Sequence, residues 1–339
     1  PVAGRLTAQV DDDLPTSFTA TKGVFGSPVA ADLVALDPDR GYVRGPVVPS
    51  GEFVAVASYD RSDRGFTFPP SRVVRIDEGG RVLDEIDLQG EVMSLADGEG
   101  ARWVLTRDAI VLGPEDAEFR VKRIGPGGDV SSAAVPPGQQ PVGALVAGGG
   151  GVWVPVADGV LRFDAANGAY AGRIDLAPAS HRTVVAFGKG VFATTTEGLA
   201  RLDPSRMTAT RPVATPAATD GAIVDATTGG RATWALVDGP DGTALVAVDV
   251  AGGLDPTRRL PLPDDLVPER VTYSAGRLAI TGRVGGRPAL VSLREHDAGA
   301  PTVERVAVLD TTDDAALALT ARDRLAVATD GRFWVLPLD

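Results

Sequence analysis

Between residues 151 and 168 the chain reads GVWVPVADGVLRFDAANG: an apolar run carrying Trp153, a polar break at Asp158-Gly159, a second run ending in Arg162-Phe163-Asp164, and a glycine-bearing turn. Short apolar or alternating runs bounded by Gly and Asp are the pattern of β-strands joined by tight turns. The same grammar returns in GVFATTTEGLARLDPSRM at 190–207 and in GVFGSPVAADLVALDPDRG at 23–41. Its most regular part is an apolar run closed by an acidic or glycine turn. That part is found as LVALDPDRG (33–41), VVRIDEGG (73–80), VKRIGPGG (121–128), VLRFDAANG (160–168), LARLDPSR (199–206) and LVAVDVAGG (245–253). ALVSLREHDAG (289–299) is a looser copy, and FWVLPLD (333–339) supplies the strand alone.

Each copy follows a strand with an aromatic or branched residue, such as ARWVLT (101–106), GVWVPV (151–156), GVFATT (190–195) or ATWALV (232–237). Before these lie alternating segments such as EFVAVAS (52–58), and GFTF (65–68) is read as the second strand of that unit; after the copies come segments such as VLDEIDL (82–88). No window keeps the three-to-four residue spacing of an amphipathic helix. Four short strands per unit, repeated about every 35–50 residues, predict an all-β fold, a β-propeller of four-stranded antiparallel blades. The whole chain, 1–339, is read as one domain with blades near 16–50, 51–90, 91–139, 140–179, 180–215, 216–265, 266–310 and 311–339. That makes eight, or seven if 16–90 forms a single irregular blade. The last unit has three strands; GRLTAQVDD (4–12) is expected to supply its fourth and close the ring, which leaves no open edge.

Composition narrows the partners. With 33 Lys+Arg against 45 Asp+Glu the net charge is −12, which opposes a phosphate-binding surface and argues against nucleic acid. The basic residues are nearly all Arg, with Lys only at 22, 122 and 189, a bias of the GC-rich, actinobacterium-like kind, so single arginines carry little information. The chain holds no Cys, which excludes disulfides, thiolate metal sites and a Cys nucleophile. No stretch reaches the roughly 18 apolar residues of a membrane helix. The chain begins at Pro1, and the expectation is a processed extracytoplasmic piece, secreted or surface-exposed, with any leader or membrane anchor outside it.

In a propeller the ligand site sits at the mouth of the central channel, on the face carrying the connections between blades and the turns between second and third strands. His181 in PASHRTV precedes a first strand, and Glu197 occupies a second-to-third strand turn of the same unit. With Arg182, Asp158 and Asp108 they form the expected ligand-binding set. The carboxylates Asp12, Asp13, Asp238 and Asp241 offer hard oxygens of the kind Ca²⁺ or Mg²⁺ accepts, without EF-hand spacing. The glycines at 147–151 lack the Lys-Ser/Thr ending of a phosphate loop and read as a turn. Trp103, Trp153 and Trp234 share one strand position, which favours packing between blades over a carbohydrate platform.

The aromatic strand followed by Arg-apolar-Asp and a Gly turn, best kept in 151–168 and 190–206, resembles the bacterial propellers with YVTN-type, NHL-type and streptogramin-lyase-like repeats. The YVTN tetrapeptide itself is missing, as are WD40 and Kelch signatures. Fold does not decide function in this class. The lyase branch implies a catalytic His beside an acid and a divalent metal, which would fall on His181 and Glu197. The favoured expectation is a non-catalytic binding or sensor propeller of a larger bacterial protein, taking a protein, peptide or small molecule at the channel mouth. A metal-assisted lyase or hydrolase using His181 and Glu197 is the alternative, and a structural interaction scaffold is a third reading.

Overall fold

The computed structural model describes residues 8–11, 42–50, 53–60, 71–76, 82–109, 117–187, 190–195, 198–210, 222–230, 232–248, 254–274, 276–309, 315–319, 324–329 and 332–337. These form 28 strands, all antiparallel to their neighbours, in seven sheets. A short strand β1 (Ala8–Asp11) precedes the first sheet, β2–β5 (Tyr42–Ser50, Phe53–Asp60, Ser71–Ile76, Val82–Leu88). The second is β6–β9 (Glu91–Gly98, Ala101–Ala109, Glu118–Ile124, Val130–Ala134), and the third β10–β13 (Val146–Gly148, Gly151–Val156, Gly159–Asp164, Tyr170–Asp175). The fourth, β14–β17, comprises Val184–Phe187, Gly190–Thr195, Gly198–Asp203 and Thr208–Ala209. The fifth is β18–β21 (Ala222–Thr228, Thr233–Gly239, Gly242–Val248, Leu254–Pro261), and the sixth β22–β25 (Leu266–Ser274, Arg277–Val284, Arg287–Arg294, Thr302–Leu309). The last, β26–β28 (Ala316–Leu319, Arg324–Thr329, Arg332–Pro337), has three strands.

Within each sheet the strands pair in chain order, and the first strands of successive sheets lie side by side from β2 through β6, β10, β14 and β18 to β22. β26 lies against β23 and β24 on one side and β2 on the other. This is a propeller of antiparallel, mostly four-stranded blades. Among the described residues no helix is long and apolar enough to cross a membrane.

Two expectations about the ends are corrected. Tyr42–Ser50, assigned to a blade of its own with 16–41, is the first strand of the 42–88 sheet, pairing Ser50 with Phe53. Only two residues separate these strands, enough for a hairpin between neighbours and for nothing else. The second strand of that sheet is therefore Phe53–Asp60; residues 16–41 and 65–68 lie outside the described residues. The N-terminal segment does not complete the last sheet: β1 runs along β25, with Ala8 opposite Leu309 and Asp11 opposite Val306, as a fifth strand. The covered half of β25 is Val306-Ala307-Val308-Leu309, an apolar outer edge that a further strand protects from stray pairing.

Turn chemistry explains the repeated sequence. Asp164 Oδ1 accepts the backbone N–H of Ala166 at 2.7 Å, and Asp203 Oδ1 accepts those of Ser205 and Arg206 at 2.9 and 3.2 Å. In these two sheets the acid closing the third strand thus folds the chain back toward the fourth. Gly149 and Gly150, with φ of 62° and 75°, form the two-residue hairpin between β10 and β11, as the glycine run led one to expect. At the next turn the residues are Ala157-Asp158, and Gly159 already pairs with Val156. A Cβ at Gly159 would stand 2.3 Å from the Ile174 carbonyl oxygen, so close approach of β13, not backbone angle, selects glycine there.

The core lies between the sheets. Trp103, Trp153 and Trp234 are fully buried, each in a cluster joining its own sheet to the next. Trp153 meets Val184, Val191, Ala193 and Leu202 of the following sheet, and its indole N–H donates to Gly148 O at 2.9 Å. Trp103 does the same with Gly98 O, whereas Trp234 donates to Glu295 Oε1 of the next sheet at 2.9 Å. The Arg of the repeat completes the layer. Arg162 lies 5.7 Å from the Trp153 ring centroid and donates to Pro204 O of the next sheet; around Trp234 the cation 5.0 Å from the ring is Arg258, supplied by the fourth strand β21 and not by the repeated third strand.

Candidate functional site

Four of the first strands share a device at their starting ends. β2, β6, β18 and β22 each carry a register shift near the N-terminus, at Arg44/Val47, Val92/Ser94, Ile223/Asp225 and Pro268/Arg270. A bulge frees one residue from the ladder and re-aims its neighbours. This end of the sheets also carries the connections between blades and the turns between second and third strands.

At the bulge in β18, Asp225 ties three sheets together. Its Oδ2 accepts the Val271 N–H of β22 at 2.8 Å, and its Oδ1 accepts the hydroxyl of Thr183, just before β14, at 3.2 Å. Burial pushes this carboxyl well above the usual carboxylate range, against the pull of the Val271 and Ala226 N–H groups, the Thr183 hydroxyl and the Arg270 charge. Thr183 Oγ1 stands 3.5 Å from Nε2 of His181, which is exposed. Thr183 is itself held by its N–H donating to Thr194 Oγ1 at 2.9 Å. The result is a line from an exposed imidazole through a hydroxyl to a half-buried carboxylate where three sheets meet.

Asp225→Ala strands the Val271 N–H and the Thr183 hydroxyl and should cost about 2 kcal/mol, whereas Asp225→Asn can serve both and should cost little. The raised carboxyl also fixes a sign. Between the ordinary carboxylate range and the folded value, the native state binds the extra proton, so stability falls as pH rises through that window. Urea melts across pH 4–8 should show this component in the wild type and lose it in Asp225→Asn.

The other expected residues are distributed differently. Arg182 is fully buried, and its guanidinium donates to four backbone carbonyls: Val156 at 3.3 Å, Ala157 at 3.3 Å, Ala177 at 2.6 Å and Thr194 at 2.6 Å. Burial disfavours its charge and nearby Asp158 supports it. The expectation that Arg182 meets a ligand is therefore corrected: it is a clamp holding the segment before β14 against β11 and β15. Asp158 is half-exposed and pairs with Arg173 at 3.0 Å, while Arg173 also holds Asp175.

Asp108 stands apart, on β7, with a mostly buried side chain that accepts from Thr106 at 2.6 Å and pairs with buried Lys122 at 3.1 Å. Lys122 also donates to Gln89 O in the link between the first two sheets; burial lowers its pKa and Asp108 opposes that. Asp108 thus serves a structural lock rather than an open rim. Glu197, Asp12 and Asp13 lie outside the described residues, so their grouping with His181 does too. Asp238 accepts from Thr243 at 3.2 Å and Asp241 is exposed in the adjoining turn. Among the described residues no three His, Asp or Glu side chains form a group able to hold a metal ion. Ca²⁺ and Mg²⁺ call for several free hard oxygens, and those nearest His181 are already taken by Thr183, Val271 and Arg173; the described residues do not fit such an ion.

Sequence reading passed over Asp225 and Thr183. The available signal was the acid in AIVDATT, a charge in the middle of a strand-like run where an alternation rule leaves no place for one.

No family model matches the chain, and no curated protein matches it. Solved structures do. A catalytically inactive histidine-to-alanine variant of virginiamycin B lyase from Staphylococcus aureus, with quinupristin, aligns over 98% of both chains at 14% identity with a TM-score of 0.59. BamB from Moraxella catarrhalis aligns over 87% of this chain and 97% of its own, at 10% identity and a TM-score of 0.52. YCF48 bound to D1 peptide aligns over 88% and 93%, at 11% identity and a TM-score of 0.53. At these identities the likeness shows the propeller fold alone.

Proposed function

We propose that the protein is a non-catalytic binding propeller, engaging a protein or peptide over the face where β14, β18 and β22 begin. The observation that carries this reading is how the charged groups of that face are used. Arg182, Lys122 and Asp225 are spent on joining sheets, and the groups left accessible, His181 and the Asp158–Arg173–Asp175 ladder, form a surface for contacts. The peptide-bound neighbour YCF48 gives the same fold a precedent for such a role. The ring is read as seven blades closed by β26 lying against β2, and the location as extracytoplasmic, on the Cys-free composition.

A random peptide library selected against the immobilised protein tests this. Ligands that bind the wild type and weaken at least tenfold with His181→Ala and Asp158→Ala together support the reading. Selected ligands indifferent to both changes would place binding elsewhere and overturn it.

A further inference from the structure

The tie made by Asp225 does not require an acid. At the matching bulge of β6, Ser94 does the same work with a neutral hydroxyl, accepting the N–H of Leu145 ahead of the next sheet at 3.0 Å. The carboxylate at position 225 adds a second acceptor oxygen, and Thr183 occupies it. The chemistry of the line to His181 then has a direction. Thr183 Oγ1 donates to Asp225 Oδ1, and once the carboxyl is ionised this is the one direction open to the pair, because a carboxylate only accepts. The Thr183 oxygen can then only accept from His181, which places the imidazole proton on Nε2, the nitrogen facing Thr183. Nδ1 is left as a bare acceptor.

We infer that the line from Asp225 through Thr183 fixes His181 in the Nε2–H tautomer, so that Nδ1 is a built-in acceptor for a hydrogen-bond-donating, basic group of the partner, a Lys or Arg side chain. This deepens the binding reading and rests on it. The charges around the line are Arg270 facing Asp225, Arg182 held by carbonyls beside Asp158, and Arg173 between Asp158 and Asp175. Each of these cations already has an anionic or carbonyl partner, and the chain as a whole carries −12, so among the described residues of the line a basic ligand meets compensated charges. His296, the chain's other His, sits 2.9 Å from Thr302 Oγ1 in an exposed contact and serves as an internal control.

Nitrogen-detected NMR of the two imidazoles, recorded at rising pH alongside the Asp225 carboxyl carbon signal so that the ionised state is identified directly, tests the tautomer. The expected result is a protonated Nε2 in wild-type His181 and a mixture in Thr183→Val, with Thr183→Ser behaving as wild type. Asp225→Asn should drive the opposite tautomer, since its amide would donate to Thr183 and turn both hydrogen bonds around. A wild-type mixture unaltered in all three variants overturns the relay. The ligand class is tested with a fluorescent Ala-Lys repeat peptide and its lysine-acetylated form. The basic peptide should bind about tenfold more weakly to Thr183→Val than to the wild type, and the acetylated peptide should lose the preference. Equal binding of both forms to a mouth whose tautomer is as expected overturns the ligand class and leaves the binding reading standing. If no library peptide binds the wild type, the binding reading fails and the ligand class with it, while the nitrogen shifts still decide the relay.

Discussion

Arg182→Met will lower the stability of the fold by about 4 kcal/mol, read as a shift in the urea midpoint followed by tryptophan fluorescence. The guanidinium serves carbonyls from four places: the end of β11, the turn after it, the segment following β13, and β15. Removing it leaves those oxygens in a fully buried site, and each buried acceptor without a donor costs about 1–3 kcal/mol, reduced where the backbone can shift or water can enter. Lysine will not restore the loss, because a single ammonium cannot fan out to four carbonyls as a planar fork does. A loss below about 1 kcal/mol, within the range of ordinary surface substitutions, would show that Arg182 is not the clamp described.

The second large effect is expected at Trp153. The ring is fully buried and fills the space between the third and fourth sheets, so Trp153→Ala should cost about 3–5 kcal/mol through lost burial and the cavity left behind. Trp153→Phe keeps most of the packing but leaves Gly148 O without its donor and Arg162 over a smaller ring, and should cost about 1–2 kcal/mol. The pair distinguishes packing from hydrogen bonding. If the core lies between the sheets, the Ala variant will expose β11 and β15 together in hydrogen exchange; protection lost on β11 alone would contradict it.

The repeated blade was legible because its parts are local. An acid that caps its own turn, as Asp164 and Asp203 do, and a glycine pair that sets a hairpin leave marks within a few residues. Trp153 was readable as an interblade residue because the same strand position recurs at Trp103 and Trp234. What escaped depends on contacts between distant residues. Nothing near residues 8–11 says whether they pair with β25 or β28, since both edges are apolar strands. Arg182, in a chain where nearly every cation is Arg, carries no local sign that it is buried, and it was read as part of the rim. Asp108 misled for the same reason: its partner Lys122 is brought to it only by the pairing of β7 with β8. Asp225 was hidden by the bulge, which shifts the alternation by one residue at the point where its side chain turns toward β22.

The two histidines give the most direct test of where the protein binds. His181 stands ahead of a first strand and His296 follows a third strand, so they mark opposite faces of the propeller. The ring-proton signals of both, assigned with His296→Gln, should be followed while a library-selected peptide is titrated in. The account predicts that His181 moves with a saturating profile and His296 stays in place; movement of His296 with His181 still would put the binding face on the other side and contradict it.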